Sequence, residues 1–179
     1  MNTHPTFNSL HKASETQDAF SLLDAVANAI SPVYLTESYH EKPLSRKKFI
    51  EDLRKQMATK LTHVNRTDSK KRPFFETIPP SGNQGRSLEA LQAFYDSKER
   101  LGLESVSYVS MLTEYNIYVV EKDKVRKPEG RFEKSIVLIF YPGTGYFVTG
   151  AYKNEQGVFE TIFGPQDPLL LELNREIRT

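Results

Sequence analysis

An α+β domain is what the sequence predicts, with helices packed on a mostly antiparallel sheet of about four to five strands. Three observations carry that expectation. Apolar residues recur at helical spacing up to about residue 114, the pattern changes to that of strands from Asn116 onward, and glycine-containing turns punctuate the second part. Helices first and a meander afterwards point to segregated layers rather than alternating βαβ units.

The first helix is marked by Leu22, Leu23, Val26, Ala27 and Ile30, with Thr16 or Asp18 available as N-cap and Pro32 closing the segment. A second helix runs from Pro43 to about Leu61. Phe49, Ile50, Leu53, Met57 and Leu61 make its apolar stripe, and Arg46, Lys47, Lys48, Arg54 and Lys55 its solvated side. Residues 64 to 86 carry Lys70, Lys71 and Arg72 followed by Pro73, Pro79, Pro80, Gly82 and Gly85, which is loop composition, anchored by Phe74 and Phe75. A third helix starts at Ser87 and presents Leu88, Leu91, Phe94 and Tyr95. After a turn at Gly102, a fourth runs from Ser105 to Glu114 on Val106, Val109 and Leu112.

The strands are β-branched and aromatic runs: Ile117 to Val120, Ile136 to Phe140, Tyr146 to Val148 and Val158 to Ile162. Glu121 to Lys134, between the first two, reads as an extended hairpin loop. Pro142-Gly143-Thr144-Gly145 and Asn154-Glu155-Gln156-Gly157 read as tight turns between antiparallel neighbours. A terminal helix from Asp167 lays Leu169, Leu170 and Leu173 on the sheet. By phase, Leu23, Val26, Ile30, Leu112, Ile117, Val119, Val137, Ile139 and Phe159 share one core.

Composition bounds the function. The 179 residues fit a polar N-terminal tail over 1–15 and a single domain over 16–179, long enough to bury a core. With 24 basic against 23 acidic side chains the net charge is +1, so no global field holds the chain on nucleic acid or an anionic membrane. Cysteine is absent, which removes disulfides, thiolate metal sites and thiol catalysis. The longest apolar run, Ile136 to Tyr141, is far too short to span a bilayer, and the polar first 15 residues hold no secretory signal. The default expectation is an intracellular protein, cytoplasmic or nuclear.

The residues that could do chemistry are sparse. His4 and His11 lie in the polar N-terminal segment, His40 before the second helix and His63 at its end, all read as surface histidines without metal-ligand spacing. No metal or cofactor is expected. The Gly143 and Gly145 pair precedes a strand rather than a helix, so it reads as a hairpin turn and not a phosphate loop. Basic clusters occur only at Arg66 to Arg72 and Lys122 to Lys134, the second mixed with Asp123, Glu129 and Glu133. Loops around Lys71 and Lys127 are where nucleic acid would bind, and the net charge argues against it.

Asp18-Ala19-Phe20-Ser21-Leu22-Leu23, followed by Ala25-Val26-Ala27, resembles the nucleophile helix of the ovarian-tumour (OTU) family of cysteine peptidases, where Asp-Gly-x-Cys-Leu-Phe opens the helix. Leu101-Gly102, Val106 to Glu114 and Asn116-Ile117-Tyr118-Val119 are similar to the family's Trp-Gly, helix and Ile-x-Val strand, without the Trp. The family's catalytic His-Tyr follows a glycine-containing turn. Here Pro142-Gly143-Thr144 is that turn, and the His position falls on Gly145 with Tyr146 after it. The resemblance covers roughly residues 16 to 165.

That resemblance implies an OTU-like domain whose site is degenerate at Asp18, Ser21, Gly145 and Phe147. Asp18 is retained, but the first-turn position that stabilises a thiolate carries Ser21, Gly145 cannot accept a proton, and Phe147 stands where a polar group would orient the base. A pseudo-peptidase with no catalytic residues follows, acting as a protein-binding or structural module. Ubiquitin is a candidate ligand by resemblance, and a place in a multiprotein assembly or a virion is equally open. The alternative readings are a deubiquitinase whose nucleophile is replaced by Ser21, and a nucleic-acid-binding domain.

Overall fold

Local sequence sets each element. A computed structural model describes residues 10–12, 21–30, 43–61, 88–128 and 130–178, with the side chains of a few residues inside these elements left aside. Helix α1 (Ser21–Ile30) is apolar or small nearly all round and is buried from Ser21 through Ala29, as a helix enclosed on every side must be. Helix α2 (Pro43–Lys60) begins with proline, whose missing N–H is one that a first turn leaves unpaired anyway, and it buries Ile50 and Met57. Helix α3 (Leu88–Tyr95) packs on α2. A 3₁₀ turn, Leu103–Ser105, leads into α4 (Val106–Thr113), which Glu114 ends in the left-handed region at φ 59°, donating its N–H to the Ser110 carbonyl.

Arg54 corrects the reading of α2. Expected on the solvated side, it is 2% exposed. Its Nε donates to the Tyr95 carbonyl at 2.7 Å and Nη2 to that of Phe94 at 2.7 Å, while Nη1 donates to Glu99. These carbonyls lie at the end of α3 and just beyond it, where no further helical turn supplies donors, so a cation here adds donors to them and meets the negative end of the helix dipole. Lys48 and Lys55 are exposed, as the stripe predicts.

The sheet is built from β1 (His11–Lys12), β2 (Asn116–Val120), β3 (Val125–Arg126), β4 (Ser135–Tyr141), β5 (Tyr146–Lys153), β6 (Phe159–Glu160) and β7 (Ile162–Phe163), followed by helix α5 (Pro168–Arg178). Its main path runs β1-β5-β4-β2-β3, with β6 on β5 and β7 on β4. The α+β class is as predicted, but the sheet is mixed. β2 and β4 pair in parallel, Asn116 opposite Ser135 through Val120 opposite Ile139. The Glu121 to Lys134 excursion is therefore a crossover and not one extended hairpin. It turns sharply where the Glu121 N–H meets the Lys124 carbonyl, adds β3 to the outer edge of β2, and returns to begin β4 beside the start of β2.

Two further expectations change. The fourth run splits at Thr161, so β6 pairs with β5 and β7 with β4. Within the presumed tail, Leu10 is buried and His11 and Lys12 pair with Ala151 and Gly150, so that segment contributes an edge strand.

The single core becomes two, one on each face of the sheet. Leu23, Val26, Ile117 and Val119 join Ile136, Leu138 and Phe140 under the helices, with Ile30 and Leu112 packed against them. Val137 and Ile139 face the other way, against Leu169, Leu170 and Leu173 of α5. Alternation along a strand covered on both faces enforces the split. Phe159 is in neither; it is 52% exposed, with Lys153 over its ring.

Candidate functional site

Small residues recur every four positions along α1 at Ser21, Ala25 and Ala29, all on one face and all buried. That stripe lets the helix lie close on the sheet, and a polar contact fastens it at each step. The Phe147 N–H donates to Ser21 Oγ at 3.1 Å, Thr149 Oγ1 donates to the Ala25 carbonyl at 2.6 Å, and Thr161 Oγ1 donates to the Ala29 carbonyl at 2.8 Å. Ser21 is 1% exposed. Its hydroxyl oxygen is thus occupied as an acceptor at the first of three fastenings.

Gly145 closes the turn before β5. Thr144 and Gly145 both donate their N–H to the Tyr141 carbonyl, and Gly145 takes φ +75°, a left-handed conformation that a side chain disfavours. A Cβ on Gly145 would meet Arg100 Nη1 at 3.1 Å. Arg100 is fixed there from two sides: Nη1 donates to the Thr144 carbonyl at 2.9 Å and the guanidinium lies 4.8 Å from the Tyr146 ring centroid. The loop that carries it is the one Arg54 ties down through Glu99 and Tyr95. Phe147 points into the helix-side core, its ring 4.7 Å from that of Phe140.

The structure therefore brings Ser21 and Phe147 into contact and sets Gly145 two residues away in the turn, while Asp18 lies outside the described residues. No imidazole meets them among the described residues. His11 belongs to β1 at the sheet edge, and His4, His40 and His63 lie outside the described residues. The next carboxylate along α1, Asp24, is buried and accepts from Asn28 Nδ2 at 3.3 Å. Among the described residues no group of three or more His, Asp or Glu is placed to hold a metal ion, and no helix is long and apolar enough to cross a membrane. Sequence reasoning missed Arg100, whose role arises from a contact across 44 positions that no local pattern signals.

A comparison with solved structures places this arrangement of helices and sheet. An ovarian tumor (OTU) domain in complex with ubiquitin aligns with a TM-score of 0.59 at 17% identity, covering 99% of this chain and 88% of that one. The chain has the OTU fold. The OTU of Hazara virus bound to ubiquitin aligns at TM-score 0.53 and 15% identity, over 83% of this chain and 84% of that one. The viral OTU domain protease from Taggert virus gives 0.54 and 15%, over 87% of each. At these identities the likeness is one of fold. No protein-family model matches the sequence, and no curated protein matches it. In this OTU fold, the start of α1 and the start of β5 meet in a buried, hydrogen-bonded contact between Ser21 and Phe147.

Proposed function

We propose that this chain is a catalytically inert OTU-like domain that serves as a protein-binding or structural module. The observation that carries the reading is the Ser21 hydroxyl, buried and accepting the Phe147 N–H, with Arg100 filling the space beside Gly145 where a base would have to reach. A serine nucleophile needs a general base within hydrogen-bond reach to take its proton. A guanidinium remains protonated throughout the working pH range and cannot do so.

Ubiquitin is the first ligand to test, because two of the similar structures hold it. A ubiquitin-based electrophilic probe should leave the native chain unmodified, whereas adduct formation at Ser21 refutes the proposal. The pair Ser21→Cys with Gly145→His asks whether only the chemistry was lost. The left-handed backbone at 145 and the Arg100 contact both oppose the histidine, so Arg100→Ala belongs in the same variant. Reaction of the triple variant, with the native chain silent, supports a retained ubiquitin cleft; silence from both supports a partner other than ubiquitin.

A further inference from the structure

At the opposite edge of the sheet, β3 covers only Val119 and Val120 of β2, so the first three residues of β2 have no strand on that side among the described residues. A groove of about 170 Å³ opens there between β2, the start of α4 and the crossover. Leu103, Val106, Ile117 and Val119 supply its apolar lining, and Ser107, Arg126 and Lys127 its polar rim. The volume is below that of a typical small-molecule site and matches one inserted aliphatic side chain.

Around the rim, cations outnumber carboxylates among the described residues: Lys124, Arg126 and Lys127 stand against Glu121. Arg126 is oriented by the buried Glu121, whose Oε2 accepts from Nε at 2.7 Å, leaving the outer guanidinium nitrogens available. Lys127 is exposed and has no ion pair among the described residues, and no carboxylate among those residues lines the groove. An apolar socket with Lys127, unpaired among the described residues, and the Glu121-paired Arg126 at its rim, and a local excess of positive charge, favours an apolar anchor flanked by acidic residues. We infer that this groove is a docking site for an acidic segment of a partner protein that inserts one aliphatic side chain. It is separate from the contact between Ser21 and Phe147, so it stands whether or not the domain binds ubiquitin.

The test is a titration of the ¹⁵N-labelled full chain with a capped peptide of sequence Glu-Asp-Leu-Asp-Glu, followed by amide chemical shifts. Shifts should centre on Ser107, Ile117, Val119 and Lys127 and weaken as salt rises. Replacing the peptide's leucine by alanine, or Lys127→Glu in the protein, should each weaken binding about tenfold. Lys127 is exposed, so its variant keeps the fold, and an unchanged spectrum of the free protein verifies this. Absence of shifts at millimolar peptide, shifts centred elsewhere, unchanged affinity in either variant, or equal binding of a Lys-Lys-Leu-Lys-Lys peptide overturns the inference. So does a single-stranded oligonucleotide that displaces the peptide at lower concentration, which would assign the groove to nucleic acid.

Discussion

Ser21 shows how one side chain changes meaning with its neighbours. At a helix start it can polarise a nucleophile or satisfy a backbone donor, and its contact with the Phe147 N–H selects the second. Ser21→Ala leaves that buried N–H without its acceptor, so it should lower stability by about 1–3 kcal/mol, read as a shift in denaturant midpoint. Tyr108 offers a pH-dependent counterpart. It is fully buried, its hydroxyl donates to the Met57 carbonyl, and burial raises its pKa above the ordinary value near 10. A folded pKa above the unfolded one means that stability is fully present below about pH 10 and falls above it, by up to about 1.4 kcal/mol per pH unit. Tyr108→Phe should flatten that alkaline decline, and an identical decline in both proteins would place its origin elsewhere. The sequence singles out Ser21 but not Tyr108, and it gives neither contact, because Phe147 and Met57 lie 126 and 51 positions away.

Elements were legible where apolar residues keep helical spacing over two or more turns. Residues 22–30, 106–112 and 168–173 fold as the helices their apolar spacing predicts. β4 defeats the same logic: from Ile136 to Phe140 every residue is apolar because both faces are covered, so no phase remains to say which side each faces. That is why Val137 and Ile139 were assigned to the wrong face. The crossover was misread for a related reason, since β3 is only two residues long and its charged flanks look like loop. Arg54 is the clearest failure of helical patterning, a cation at a buried position whose reason is the end of a different helix. Replacing it by methionine keeps bulk but strips donors from the Phe94, Tyr95 and Glu99 carbonyls, which should cost about 2–4 kcal/mol. Arg54→Lys should recover little, because a single ammonium cannot span the same fork. Full recovery would contradict the capping role.

Across the whole molecule, two cores share one sheet, with α1 at the centre of one and α5 covering the other. Val26→Ala and Ile139→Ala should each cost about 1–4 kcal/mol by cavity formation, and their effects should be nearly additive because they lie in different clusters. The same architecture is compatible with the proposed inertness. Here α1 is pressed on β5 through Ser21 and Thr149, with Thr161 adding a third fastening from between β6 and β7, so a domain without the chemistry keeps this packing. The most direct measurement is hydrolysis of a fluorogenic ubiquitin amide by the native chain beside its Ser21→Ala variant. The account predicts no turnover above the uncatalysed rate in either; turnover by the native chain that Ser21→Ala abolishes would contradict it.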